Sequence, residues 1–167
     1  VYILKRPKQA IRDYFVKTKL IDTYAEVSVQ MEYFDKAVET EIFVYDASGE
    51  EQQKSVTFKN LSENVVKAEF QIENPVLWNA EKPFLYKLVI ETDTEVVGER
   101  IGIRKVEIKE GVVCINGVPV KLKGVNRHDS DPVNGAAVTY DDMIRDLLIM
   151  KRFNVNAIRT SHYPNSP

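Results

Sequence analysis

The chain has 167 residues, of which 44% are apolar and 29% charged, enough for an ordinary globular protein with a sizeable core. Its 23 basic and 25 acidic residues leave a formal net charge of -2, which argues against the basic surplus of a nucleic-acid-binding domain. No apolar run reaches the roughly 18 residues of a membrane-spanning helix, and the single cysteine, Cys114, excludes an intrachain disulfide.

Val1-Tyr2-Ile3-Leu4 opens without Met or a signal-peptide pattern and reads as a mid-protein start, with Lys5, Arg6 and Lys8 as a solvated linker face. Period-2 alternation then dominates. Val27, Val29, Met31 and Tyr33 alternate with Glu26, Ser28, Gln30 and Glu32. Val66, Ala68, Phe70 and Ile72 alternate with Lys67, Glu69 and Gln71, and Phe84, Tyr86, Leu88 and Ile90 form a third run. Such alternation puts one set of side chains on a core face and the other in water. Weaker strands fit at 10–18, 40–46, 54–58 and 96–108, separated by turn signals at Ser48-Gly49, Asn60, Asn74-Pro75 and Lys82-Pro83. About seven short strands at this spacing predict an antiparallel β-sandwich of immunoglobulin-like architecture. Trp78 reads as a core or corner anchor in preference to a sugar-stacking platform. Cys114, two residues from Val112 in an apolar stretch, reads as a small buried hydrophobe.

The texture changes after about residue 108. Val112–Ile115, Asn116-Gly117 and Val118–Leu122 read as a hairpin, because Asn-Gly suits a type I′ turn. Its second arm continues into Lys123-Gly124-Val125-Asn126 and then a polar loop. Thr139 reads as a helix N-cap, with Asp141 and Asp142 at the positive end of the helix dipole. Tyr140, Met143, Ile144, Leu147, Leu148 and Lys151 follow at helical spacing, Asn154 marks the stop, and Val155–Ile158 reads as a short buried strand. Strand, loop, helix, strand is one βαβ unit, the start of a (β/α)₈ barrel, in which functional residues lie just past the carboxyl ends of strands.

Both histidines of the chain fall at such positions. His128 follows the first strand and His162 the second, so adjacent parallel strands gather Arg127, His128, Arg159 and His162 at one end of one sheet. Their donors suit sugar hydroxyls or developing negative charge. Two histidines without further nearby Cys or His fall short of a zinc set, although Asp129 or Asp131 could add oxygen ligands, and Ser161-His162 lacks the pattern around a nucleophilic serine. Asp129 and Asp131 read as loop-structuring residues.

Three stretches then carry a family resemblance. NAIRTSHYPNSP (156–167) resembles the family 2 glycoside hydrolase signature. KLKGVNRHDSDPVNG (121–135) resembles the segment where that family's catalytic barrel begins, and NPVLWNAEKPFLYKLVIE (74–91) is similar to the late strands of its middle sandwich. Val1 to Pro7 resembles the exit from a preceding jelly roll. The resemblance implies a linker at 1–8, a sandwich at 9–109 and a truncated N-terminal piece of the barrel at 110–167. Asn126-Arg127-His128-Asp129 is similar to the β-galactosidase branch; β-glucuronidases usually carry Lys and Glu where this chain has Arg127 and Asp129. Some β-galactosidases have Glu and two His after the first His, where this chain has Asp129, Ser130 and Asp131.

The resemblance implies a fragment of a retaining glycosidase. In that family a pair of glutamates lies about 5–5.5 Å apart, both on later barrel strands, so no catalytic residue is expected in this chain and the chain alone is expected to be inactive. His128, His162 and Arg159 are implied as substrate-binding residues for a β-galactoside, with Asn126, Arg127, Asp129, Asn156 and Tyr163 supporting them. No metal or cofactor is expected within the chain; Mg²⁺ and Na⁺ in the longer enzyme are implied to bind through downstream residues. A homo-oligomeric, soluble enzyme without nucleic-acid or membrane partners is expected, its compartment left open with the cytoplasm favoured, and the fragment is expected to self-associate through unpaired barrel edges. Another family 2 glycosidase such as a β-glucuronidase, and a non-catalytic immunoglobulin-like carbohydrate-binding or adhesion module, stand as alternatives.

Overall fold

The computed structural model describes residues 3–53 and 55–165. Val1 and Tyr2 of the linker reading, Lys54 of the strand expected at 54–58, and Ser166 and Pro167 of the signature lie outside the described residues. The chain divides into two compact units, Val1–Val118 and Pro119–Pro167.

The first unit is built on the alternating runs. Strands β1 (Ile11–Ile21), β2 (Tyr24–Tyr33), β4 (Thr57–Asn60) and β5 (Val65–Glu73) form an antiparallel sheet in the order β1-β2-β5-β4. Strands β3 (Thr40–Tyr45), β6 (Tyr86–Thr92) and β7 (Val96–Ile101) form a second, in the order β3-β6-β7. Four strands and three in these orders reproduce the ABED and CFG sheets of a constant-type immunoglobulin sandwich. The inward residues of β2 and β5 alternate as the sequence predicts: Val27, Val29, Met31, Tyr33, Val66, Ala68, Phe70 and Ile72 are buried. Across the core they meet Ile42, Val44, Tyr86, Leu88, Ile90, Ile101 and Ile103. Full burial of such side chains contributes ~1.5–3 kcal/mol each, the main force holding the sheets together.

Polar groups inside this core are matched. The Tyr33 hydroxyl lies 2.6 Å from Thr40 Oγ1. At the start of β6 the Tyr86 hydroxyl accepts from Val76 N–H at 2.8 Å, tying the loop before β6 back to the strand in the manner of a tyrosine corner. Trp78 donates its N–H to Ile103 O at 2.8 Å and lies under the Arg104 guanidinium, 4.7 Å from the ring centroid.

That Trp78 contact accounts for one departure from the sequence reading. The strand expected across 96–108 is broken into β7 and β8 (Val106–Lys109), because residues 102–104 leave the ladder to pair with the Trp78 segment. The run beginning at Phe84 also starts later, at Tyr86, since Phe84 N–H closes a tight turn onto Lys82 O at 2.8 Å. Strands β8 and β9 (Val112–Ile115) pair antiparallel, and Cys114 is buried beneath them. Asn116 and Gly117 have φ of 52° and 79°, the left-handed pair that a type I′ turn requires. The second hairpin arm is far shorter than the expected 118–122. Strand β10 is only Val118–Pro119, because Pro119 has no N–H to extend a ladder.

The second unit contains β11 (Gly124–Arg127), α1 (Tyr140–Arg152) and β12 (Ala157–Thr160). β11 and β12 pair in parallel, with Asn126 opposite Arg159 and Arg127 opposite Thr160. Helix α1 opens with a capping box: Thr139 Oγ1 accepts from Asp142 N–H, and the Asp142 carboxylate accepts from Thr139 N–H at 3.0 Å. It closes at Asn154, φ 59°, with Val155 N–H on Met150 O at 3.0 Å. No residue of α1 is buried: its stripe of Tyr140, Ile144, Leu147 and Leu148 is exposed. The helix is not long and apolar enough to cross a membrane.

Candidate functional site

The parallel register of β11 and β12 brings their two following loops side by side. His128 and His162 meet edge to face, ring centroids 5.4 Å apart at 85°, with Tyr163 tilted against His128 at 6.2 Å. Both imidazoles are exposed, and among the described residues the His128 ring nitrogens have no hydrogen-bond partner. Arg159, also exposed, places Nη1 3.3 Å from His162 Nδ1. Two imidazoles and one guanidinium thus face water together at the carboxyl end of the two-stranded sheet.

A buried polar frame holds the loops. Ser161, 2% exposed, donates its N–H to Arg127 O at 3.1 Å, extending the β11–β12 ladder by one bond. The Tyr163 hydroxyl accepts from Asp129 N–H at 2.9 Å and donates to Asp129 O at 3.2 Å. The Asp129 carboxylate accepts from Arg127 Nη1 and from Asn165 Nδ2. Arg127 reaches the other way to α1, with Nε on Asp146 Oδ2 at 3.1 Å. Its Nη2 lies 3.0 Å from the same oxygen as an ion pair but makes no hydrogen bond. Hydrogen bonding to Asp129 raises the Arg127 pKa above its ordinary value, against the opposing effect of burial. Asp129 is therefore the buckle between the loop that carries His128 and the loop that carries His162.

The other site residues fall differently. Asn156 stands at the opposite end of β12, where its side chain accepts from Lys123 N–H at 2.7 Å and donates to Lys121 O at 3.0 Å, zipping the strand entrance. Asn126 pairs in register with Arg159, and its exposed side chain makes no hydrogen bond among the described residues. Asp131 organises its own loop, accepting from Val133 and Asn134 N–H at 2.9 Å each, with Arg145 3.6 Å away. Ser161, Asp146 and Asn165 were not among the candidate residues. Ser161 and Asn165 lie inside the signature stretch, but Asp146 had no signal beyond its place on α1.

Residues 119–167 contain no glutamate. Among the described residues no three His, Cys, Asp or Glu side chains converge as a metal site would need.

A constant-type sandwich is followed along the chain by a βαβ with basic and aromatic side chains at its strand ends. Residues 9–104 match the family model described as glycosyl hydrolases family 2, and residues 106–167 match that of the family 2 TIM barrel domain. The chain belongs to glycosyl hydrolase family 2. The β-galactosidases of Actinobacillus pleuropneumoniae and Staphylococcus xylosus are each 40% identical to it over 169 residues, covering 100% of the chain and 16% of their own length. Among solved structures, the β-D-glucuronidase of Dictyoglomus thermophilum superposes with a TM-score of 0.79 at 28% identity over 96% of this chain and 27% of that one. A β-glucuronidase of Ruminococcus gnavus gives 0.78 at 30% over 95% and 26%. The chain spans about a sixth of the length of the curated relatives it matches.

Proposed function

We propose that this chain is a segment of a retaining β-galactosidase and forms one wall of its sugar site. The observation that carries the reading is the His128–His162 pair at the carboxyl ends of adjacent parallel strands, where a barrel enzyme holds its substrate. The pair lies in a chain 40% identical throughout to β-galactosidases. Within that enzyme we assign residues 1–8 to the exit from a preceding domain, 9–109 to the sandwich and 110–167 to the start of the barrel. The family-model boundary between 104 and 106 supports this division.

His128, His162 and Arg159 bind and orient the galactosyl unit. Hydrogen bonds to its hydroxyls that strengthen as the sugar flattens toward the oxocarbenium-like transition state lower the barrier more than they tighten the ground state. Arg127, Asp129 and Tyr163 hold the two loops at the spacing such a contact needs, and Asn126 and Asn156 support the strands beneath. Bond cleavage needs two carboxyl groups flanking the glycosidic bond. The family's pair are glutamates, and residues 119–167, which carry the strand-end site, have none, so the acid/base and the nucleophile are assigned to another part of the enzyme. The family resemblance also implies a divalent cation held by residues outside this chain; among the described residues no three His, Cys, Asp or Glu side chains converge to hold one.

A second reading, a β-glucuronidase, is favoured by the solved structures that superpose on the chain. The Arg127–Asp129 pair weighs against it, because glucuronidases usually carry Lys and Glu there. Hydrolysis of matched nitrophenyl galactoside and glucuronide, by the longer protein of the same reading frame and by this chain alone, separates the readings. Galactoside turnover by the longer protein alone is expected. Glucuronide turnover would replace the first reading with the second, and turnover by the isolated chain would overturn the placement of the chemistry elsewhere.

A further inference from the structure

One hydrogen bond in the strand-end cluster has its direction set by the chemistry of its donor. Arg159 Nη1 lies 3.3 Å from His162 Nδ1. A guanidinium carries five N–H donors, has no acceptor and stays protonated in proteins. The contact is a hydrogen bond only when Nδ1 presents a lone pair. An imidazolium, with a proton on each nitrogen, has none to offer. We propose that Arg159 is a positioning residue that holds His162 as the neutral tautomer protonated on Nε2. His162 then offers its ligand an N–H donor, and the ligand atom it meets is an oxygen accepting that proton, as a sugar hydroxyl does. The tautomer stands on geometry alone; the identity of the oxygen as a sugar hydroxyl rests on the proposed function.

The surroundings agree with this direction. A histidine whose Nδ1 faces a carboxylate is protonated at Nδ1 and presents the opposite pattern. Here the nearby acid is already engaged: the Asp129 carboxylate accepts from Arg127 and Asn165. Among the described residues neither Arg159 nor His162 makes an ion pair with a carboxylate. The ring's position is fixed on both sides, by Ser161 N–H on Arg127 O and by the Tyr163 hydroxyl on the Asp129 backbone. The remaining neighbour is His128, edge to face at 5.4 Å. With Nδ1 closed off by Arg159, Nε2 is the nitrogen left for a ligand. It arrives as a donor, so His162 orients the sugar and does not take a proton from it.

The chain has two histidines, so the ring-nitrogen spectrum of the ¹⁵N-labelled protein holds two spin systems, which His128→Asn assigns. At about pH 8, where free imidazole side chains are neutral, the unaltered chain is expected to show an unprotonated Nδ1 and a protonated Nε2 for His162, with a through-bond coupling to Arg159 Nη1. Arg159→Met is expected to move the two nitrogen shifts toward each other as the tautomers mix. Arg159→Glu, which puts an acceptor in the same place, is expected to move the proton to Nδ1. A protonated Nδ1 in the unaltered chain overturns the proposal, as do identical nitrogen shifts in the unaltered and Arg159→Met chains. Should the variants unfold the barrel segment, tautomer and coupling in the unaltered chain decide by themselves. No sugar enters these spectra, so a wrong tautomer and a failed galactoside assay are separate results.

Discussion

Replacing Asp129 by Asn tests whether the buried frame sets the spacing of the two histidines. Asp129 and Arg127 are both about nine-tenths buried, with side-chain exposures of 11% and 10%. The carboxylate accepts two hydrogen bonds, from Arg127 and Asn165. An amide has one oxygen, so one bond is lost and the other loses its charge. Hydrogen bonds to charged groups contribute ~1.5–3 kcal/mol and neutral ones ~0.5–1.5. Arg127 is not stranded, because Asp146 Oδ2 remains 3.1 Å from its Nε. The net loss is then about 2 kcal/mol, or roughly thirtyfold in the opening equilibrium at ~1.4 kcal/mol per tenfold. Amide hydrogen exchange reads this locally. The amides of β12 and of Ser161 are expected to exchange roughly thirtyfold faster in Asp129→Asn, while those of β2 and β5 keep their rates. The Tyr163 hydroxyl bonds only the Asp129 backbone and survives the substitution. If that backbone bond alone held the loops, β12 exchange would not change, and the reasoning from the carboxylate would be refuted.

Other substitutions probe the rest of the scaffold. An added Cβ at Gly102 would lie 3.0 Å from the Trp78 ring and 3.1 Å from its Cβ. Gly102→Ala is therefore expected to cost ~1–3 kcal/mol, read as a lower urea midpoint through the fluorescence of Trp78, the sole tryptophan. Burial, with the Glu99 carboxylate 2.8 Å away, pushes the Tyr14 hydroxyl up to about 12 from its ordinary 10.0. A group raised in the folded state stabilises below its unfolded pKa and loses that share as pH rises through the folded value. Tyr14→Phe is thus expected to flatten the fall in urea midpoint between about pH 10 and 12; an unchanged fall contradicts it. Thr139→Ala removes the side chain of the N-cap and is expected to cost α1 ~1 kcal/mol, seen as faster exchange of its amides. Hydrogen bonds from Thr139 hold the Asp142 carboxyl below its usual 3.8, so the stability it contributes is lost only as pH falls below that value.

Much of this fold was legible because its signals are local. Alternation along β2 and β5 needs only the residues themselves, and so do the Thr139 cap and the Asn116-Gly117 turn. The contacts that were not legible are distant in sequence. Trp78 donates its backbone N–H to Ile103 O, 25 residues further on, and β7 ends before that point. At the site, strand-end logic placed His128, Arg159 and His162 together because parallel pairing fixes where both loops start. The frame beneath them joins Asp129 to Asn165 and Arg127 to Asp146, 36 and 19 residues apart. No periodicity announces such pairs. Asn156 belongs to the same signature stretch as His162 yet acts at the far end of β12, since a strand carries its two ends to opposite edges of the sheet.

Helix α1 has no buried residue. Its apolar stripe is exposed, and among the described residues the sheet of β11 and β12 has two strands and two open edges. Such surface favours association between copies, so the sedimentation of the isolated chain is expected to depend on concentration, and Leu147→Glu with Leu148→Glu to reduce that dependence.

The central claim, that the strand-end histidines contact the sugar, is tested most directly by steady-state kinetics of His162→Phe in the longer protein with nitrophenyl galactoside. The expected result is a fall in kcat/KM of about 5- to 150-fold, because removing the neutral N–H donor leaves a sugar hydroxyl without its partner at a cost of ~1–3 kcal/mol, with an unchanged unfolding midpoint. A kcat/KM within about twofold of the unaltered enzyme would place the sugar elsewhere and contradict the assignment.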